Sequence, residues 1–337
     1  MDIIKLIQLR HATLGRRIAL VDEPMVTLLD SSVTSSYDFV TEALASETAI
    51  HDFLMARLSA ESMAYDPIYN GESPWQLLPA FDHPTNPFAC LVSGTGLTHH
   101  SSAKSRQLMH LKNVGNLTDS MKMYQWGVEG GNPPLGSIGV QPEWFYKGNG
   151  YILKAHGEPL EVPPYADDGG EEAELAGIYL VDQAGTPVRI GFCNGNEFSD
   201  HLMESKNYLY LAPSKMRECA IGPELVMGLD FNEFRGEVSV VRQEEMMWRK
   251  PVKSGSAHMA HSLANLEYHH FKYPTHRIPG QVHVHFYGAD AFSYGEQVRL
   301  AEGDKMIIHW EKLGRPLINT MKSGAKVDEL VALKQIC

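Results

Sequence analysis

The residues best suited to chemistry lie in Asp167-Asp-Gly-Gly-Glu-Glu-Ala-Glu-Leu-Ala176, where Glu172 and Glu174 flank one small residue at the head of an apolar run. On a strand, side chains two apart point to the same face, so these carboxylates would converge on one point. Two anions held together repel unless a cation lies between them, and hard oxygen ligands of this kind suit Mg2+, Mn2+ or Ca2+. An isolated Glu-x-Glu is also what a solvated acidic turn looks like, so other residues must decide. Two later segments bear on it. Gly195-Asn-Glu-Phe-Ser-Asp200 puts an acid, Glu197, in a turn-rich stretch after an apolar run, and Pro213-Ser-Lys-Met-Arg-Glu-Cys-Ala-Ile-Gly-Pro223 carries Lys215.

Taken in this order, the segments resemble the fumarylacetoacetate hydrolase superfamily, whose members bind one divalent metal with a Glu-x-Glu pair and a later acid. A lysine follows in a segment ending in Gly-Pro. The likeness runs over residues 88–320. It includes Trp144-Phe-Tyr-Lys147, the Pro279-Gly280 approach to a strand, and the stretch from Gly303-Asp304 through Leu313-Gly314 to Asn319. The resemblance implies that Glu172, Glu174 and Glu197 hold Mg2+, with Mn2+ as the alternative ion, that Lys215 is the active-site lysine, and that the protein is a homodimer. Glu197 departs from the pattern, since most members have Asp there. The arginine often found just after that acid is also missing, because Ser199 is followed by Asp200 and His201.

Hydrolases of this superfamily carry a His-x-x-Glu dyad, used to activate water, after the strand that opens the catalytic domain. The matching stretch here is Gly94-Thr-Gly-Leu-Thr-His-His-Ser-Ser-Ala-Lys-Ser-Arg106, in which neither His99 nor His100 has Glu three residues on. A glutamate at Glu143, 29 residues before Glu172, and the spacing of 18 between Glu197 and Lys215 resemble instead the branch that dehydrates 2-keto-3-deoxy sugar acids, an arabinose-degradation group. A 2-keto acid chelated to a divalent ion through its C1 carboxylate and C2 carbonyl becomes acidic at C3. Glu143 would take that proton while Lys215 helps hold the enolate charge. Loss of the C4 hydroxyl and tautomerisation would give a 2,5-dioxo acid, 2-oxoglutarate semialdehyde for a pentonate. His99 or His100 would protonate the leaving hydroxyl, or else make hydrogen bonds in a core or lid. Arg106, Lys147 and Ser199 are candidate substrate-binding residues, the two cations alternatively serving structural ion pairs. Hydrolysis of a 2,4-diketo acid or acylpyruvate is the competing reaction; a lid histidine together with a glutamate from elsewhere in the chain would serve it.

Three weaker patterns compete. His283-Val-His285 puts two imidazoles on one strand face, as a zinc site or as packing beside the active site. Ser101-Ser-Ala-Lys104 and Lys253-Ser-Gly255 match fragments of penicillin-recognising serine enzymes, without the Ser-x-Asn element. Gly94-Thr-Gly96 follows a strand but lacks the third glycine of a dinucleotide loop, since position 99 is His. A metal-free serine hydrolase and a non-catalytic sugar-acid binder are thus the readings from other classes.

The elements that must position these residues follow from periodicity. Residues 3–8 and 17–29 read as strands, and apolar spacing of three and four over 37–58 suits one or two helices. The breaker cluster Asp82-His-Pro-Thr-Asn-Pro87 marks a boundary near residue 85. Short apolar runs at 88–92, 144–146, 177–181, 188–193, 208–212 and 237–241 predict mainly β structure. A helix is expected over 257–271, with His258, His261, His269 and His270 at its wetter positions. Strands follow at 282–287, 305–310 and 316–320. The expectation is an α+β, β-rich chain: a small N-terminal α+β module over 1–85, a mixed β-sandwich roll of the fumarylacetoacetate hydrolase type over 86–325, and a tail over 326–337.

Composition narrows the partners. The 337 residues carry 29 basic and 41 acidic side chains, a net charge of -12 with no dense Lys/Arg run, which argues against nucleic acid. No stretch of about 18 apolar residues runs without a charge, so no membrane-spanning helix is expected. The first residues read as a strand rather than a signal. Cys90, Cys193, Cys219 and Cys337 form no Cys-x-x-Cys pair, which fits a reducing cytoplasm. The expected partner is a small 2-keto acid.

Overall fold

The run Ala173–Val181 is buried at all nine positions, which requires cover on both faces. In the computed structural model, which describes residues 3–46, 48–101, 103, 104, 107, 118–324 and 328–336, it lies inside a 12-stranded sheet. Along that sheet the order is Leu58–Ala64, Met25–Leu29, Gly15–Asp22, Ile4–His11, Cys219–Met227, Pro187–Asn196, Ala173–Val181, Val282–Phe286, Cys90–Gly94 and Phe145–Asn149. Trp75–Leu77 and Leu153–Lys154 pair on to Ile4–His11 and Cys219–Met227. A second sheet of five strands runs Glu245–Ser254, Phe234–Arg242, Lys305–Trp310, Leu317–Ser323 and Leu160–Val162. The two sheets make the β-rich α+β fold that was expected.

One apolar cluster fills the space between the sheets, bringing Leu175, Tyr179, Phe192 and Val226 against Val238, Val240, Trp248, Ile308 and Trp310. Trp310 is fully buried, and burial of a large apolar side chain of this kind contributes roughly 2–3 kcal/mol. Its indole N–H donates to the Glu174 carbonyl at 3.1 Å and its backbone N–H to Asn194 Oδ1 at 2.8 Å, so the second sheet clamps the strand that carries Glu174. A second cluster lies on the other face, where Phe39, Val40 and Ala43 of helix Ser36–Ser46 pack against Ala176, Ile178, Val282 and Val284. The N-terminal segment enters the same sheet, because Ile4–His11 pairs antiparallel with Cys219–Met227 in the register Leu6 to Leu225.

Local chemistry explains where the elements differ from the periodic reading. Residues 17–29 form two antiparallel strands, Gly15–Asp22 and Met25–Leu29, and residues 37–58 hold helices Ser36–Ser46 and Ile50–Met55. The helix expected from 257 starts only at Leu263, because Ser262 caps it by accepting from the Asn265 N–H at 3.3 Å. His261, His269 and His270 are buried rather than wet. Residues 208–212 are helical: Asn207 Oδ1 accepts the Leu209 N–H at 2.9 Å and opens a 3-10 turn, Tyr208–Tyr210, that leads into helix Leu211–Lys215. A short apolar run does not distinguish strand from helix, and the cap decides. No helix among the described residues is long and apolar enough to cross a membrane.

Candidate active site

Antiparallel pairing brings the three acids together. Ala173 lies opposite Asn196, and the Glu197 N–H donates to the Glu172 carbonyl at 3.0 Å, so the head of one strand meets the end of its neighbour. One carboxylate oxygen from each of Glu172, Glu174 and Glu197 lies within 4.8 Å of the other two. All three side chains are buried. The pairing expected from Glu-x-Glu spacing is therefore joined by an acid that only the sheet delivers.

The cations around this cluster are unevenly shared. Lys215, at the end of helix Leu211–Lys215, places Nζ 2.6 Å from Glu172 Oε1, 2.5 Å from Glu197 Oε2 and 2.9 Å from Ser199 Oγ. Lys147 Nζ lies 2.6 Å from Glu197 Oε1 and donates to the carbonyls of Phe198 and Lys215 at 2.6 and 3.0 Å. His201 Nε2 is 3.0 Å from Glu172 Oε1, and its ring is stacked 4.8 Å from Phe292 and 5.2 Å from Tyr294. Glu174 receives the Gly288 N–H at 2.6 Å, and no cation stands against it among the described salt bridges.

Electrostatics follows this division. Burial alone would raise the Glu172 carboxyl, but Lys215 and His201 outweigh it and hold the group well below the usual carboxylate range. Burial, then the charges of Glu197 and Glu172, push Glu174 well above that range. Burial would lower the His201 imidazole, yet its bond to Glu172 raises it. The cluster thus has two carboxylates held in salt bridges and one, Glu174, with none among the described residues.

A buried ion pair fixes the surrounding loops. Arg217 donates to Asp200 Oδ2 at 2.8 Å and to the Asp168 carbonyl at 2.6 Å. Asp200 in turn caps helix His201–Lys206 by accepting the Met203 N–H at 2.8 Å. That cap orients His201 and, one turn on, Glu204. A cavity of about 20 Å³ opens between them, lined by Glu172, Lys215, Phe145, Phe292 and the Gly96-Leu97 and Gly288-Ala289 backbones. It has room for one water.

The other predicted residues take varied places. Glu143 is 4% exposed and accepts from the Tyr208 hydroxyl at 2.9 Å, on the turn that leads to Lys215. Of the two readings of Lys147, substrate clamp or structural ion pair, the structure has the second: it is fully buried and its three N–H groups face three acceptors inside the protein, so it balances Glu197. Ser199 is likewise internal, its hydroxyl set between the Glu197 carboxylate and Lys215. His99 is buried beside Thr98, and burial lowers its pKa to about 4, so it is neutral at pH 7. His100 is exposed and meets the edge of Tyr124 at 5.7 Å. Arg106 lies outside the described residues. Ser101 bonds Asp290 at 2.8 Å. Periodicity missed His201, Glu204, Tyr208 and Phe292. The one available signal was His201-Leu-Met-Glu204 itself, a His-x-x-Glu in a different place from the expected one.

No family model matches the chain, and no curated protein matches it. Solved structures do. An apo 2-keto-3-deoxy-D-arabinonate dehydratase is 17% identical with a TM-score of 0.69, over 96% of this chain and 100% of that one. A 2-keto-3-deoxy-D-arabinonate dehydratase complexed with magnesium and 2,5-dioxopentanoate is 18% identical with a TM-score of 0.68, over 95% and 99%. The 2-hydroxyhepta-2,4-diene-1,7-dioate isomerase of Mycobacterium marinum is 14% identical with a TM-score of 0.58, over 95% and 98%. Likeness at these identities over nearly whole chains establishes architecture, and this chain has the fumarylacetoacetate hydrolase-type fold that its motifs resemble.

Proposed function

We propose that the protein is a divalent-metal-dependent hydro-lyase that dehydrates a 2-keto-3-deoxy sugar acid, such as a 2-keto-3-deoxypentonate, to a 2,5-dioxo acid. The observation that carries the reading is the buried acidic cluster with one carboxylate, Glu174, short of positive charge. Three converging hard oxygen donors, one of which, Glu174, has no salt bridge among the described residues, fit Mg2+ or Mn2+, and Glu172, Glu174 and Glu197 would hold it. The likeness to a dehydratase bound to magnesium and 2,5-dioxopentanoate supports the same choice. The bound ion would supply Lewis acidity at the 2-keto group of the substrate.

The protein's own groups do the proton work. Glu143, held by Tyr208, takes the C3 proton and returns it to the C4 hydroxyl as water leaves, so one carboxyl serves both ends of the elimination. Lys215 faces the cluster and stabilises negative charge that develops on the substrate. His99, neutral through burial, is a hydrogen-bonding residue and not the acid. In this reading the protein works as a cytoplasmic homodimer on pentose-derived acids.

A second reading has one specific observation in its favour. His201 and Glu204 line the same cavity one helical turn apart, and such a pair would activate water for carbon-carbon hydrolysis of a 2,4-diketo acid or acylpyruvate. The deciding experiment incubates metal-stripped protein with racemic 2-keto-3-deoxypentonate, with and without Mg2+, and follows the aldehyde product by coupled oxidation. Metal-dependent aldehyde is the expected result. No aldehyde, with turnover of an acylpyruvate instead, would replace elimination by hydrolysis.

A further inference from the structure

A second cluster of ligand-type side chains lies on the same sheet and has no part in the reaction above. His270 lies in the last turn of helix Leu263–Phe271, His276 closes the 3-10 turn Pro274–His276, and His283 lies on strand Val282–Phe286. One ring nitrogen from each lies within 4.8 Å of the other two. His270 and His283 are buried and His276 is half-buried, so the group has a closed side and a side that opens to solvent. His285, its sequence neighbour, is not available: Ser93 and Thr95 take its two nitrogens at 2.9 and 2.7 Å.

Hydrogen bonds fix where the protons sit. His276 Nδ1 faces the His270 carbonyl at 2.7 Å and must donate, which leaves the lone pair on Nε2. The Trp144 indole can only donate, and it meets His270 Nδ1 at 3.2 Å. His270 Nε2 therefore donates to His283 Nδ1 at 2.9 Å. We propose that His270, His276 and His283 form a binding site for Zn2+, separate from the carboxylate centre, with a water in the fourth position.

Neutral imidazoles in this number suit a borderline transition ion and not Mg2+, which prefers oxygen. Tetrahedral Zn2+ at roughly 2.0–2.1 Å from nitrogen places its ligands roughly 3.4 Å apart. His270 and His283 already stand near that separation. His276 lies within 4.8 Å of both, on an exposed turn that can bring it inward. Coordination transfers the His270 proton from Nε2 to Nδ1, and the Trp144 indole, half-buried, turns to water. The loss is two hydrogen bonds, Trp144 to His270 and His270 to His283, set against three metal–nitrogen bonds. Zn2+ there would tie the 272–281 connection to the strand beneath it.

The test uses full-length Glu174→Gln protein, which removes the carboxylate site from the measurement. Metal-free protein is titrated with Co2+, whose tetrahedral form gives intense visible absorption, and the ion is then displaced with Zn2+. One equivalent with that spectrum is expected, along with weakening of about 100-fold or more on adding His276→Gln or, separately, His276→Asn. Both changes fall on the half-buried residue and spare the core. Absence of the spectrum in the Glu174→Gln protein, or its survival in both double variants, overturns the proposal.

Discussion

The carboxylate centre and the histidine cluster are both buried groups of ligand-type side chains on one sheet, yet they are held by opposite means. Around Glu172, Glu174 and Glu197 the fold supplies Lys147, Lys215 and His201, because charges taken out of water must be paired. Around His270, His276 and His283 it supplies hydrogen bonds alone, because a neutral imidazole is inexpensive to bury at pH 7. The comparison teaches that an imbalance is informative only in the charged region. Among the described residues Glu174 has no salt bridge, an imbalance that a divalent ion would correct, whereas the hydrogen-bonded imidazoles show no such imbalance.

The sharpest way to break this comparison is Glu174→Gln. It should abolish Mg2+ binding at the carboxylate centre and turnover while leaving the metal-free fold as stable as before or more so, since the change removes a buried carboxyl that has no salt bridge among the described residues; calorimetry with and without Mg2+ and an activity assay read both effects. Full activity in the variant would remove the metal centre. Lys147→Met should do the reverse and destabilise the metal-free protein by about 3–5 kcal/mol, because it strips one of two ammonium groups from buried Glu197. Denaturant melts check this, and a change under 1 kcal/mol would mean Lys215 alone suffices. Glu143→Gln should leave Mg2+ binding intact and slow turnover about 100-fold or more. An unchanged rate would move the proton transfer to another residue.

A further effect concerns pH and the neutral class. His156 donates from Nε2 to the Tyr69 carbonyl and accepts the Ile318 N–H at Nδ1, joining the N-terminal segment to the second sheet. Burial lowers its pKa to about 4, against about 6.5 in an unfolded chain. The folded state thus binds fewer protons. Its contribution is fully present above roughly pH 6.5 and is lost as pH falls to about 4, at up to roughly 1.4 kcal/mol per pH unit. Stability measured across that window should lose this slope in His156→Gln; an unchanged slope would assign the acid sensitivity elsewhere.

Much of the charged site was legible in the chain. Glu172 and Glu174 are two apart, and period-two geometry turns that spacing into convergence. Glu197 and Lys215 were reached through motif order. The role of Lys147 was not legible, because a lysine after a strand looks the same whether it meets a ligand or Glu197. His201 and Glu204 were readable as a His-x-x-Glu, but nothing local says that their helix faces the cavity. Residues 208–212 show the same limit in secondary structure, where Asn207 and the following turn overrode a strand-like run.

The sequence by itself determined which chemistry is possible: hard oxygen donors at fixed spacing, a lysine and a candidate base on separate segments, imidazoles two apart on a strand, and an acidic surface. The tertiary structure decided which of these meet. Only antiparallel pairing of Ala173–Val181 with Pro187–Asn196 brings Glu197 to Glu172, and only packing of three elements gives His283 the partners His270 and His276 in place of His285. Spacing is a local property of the chain, whereas charge balance and burial belong to segments far apart in sequence, so they exist only once the sheets have formed.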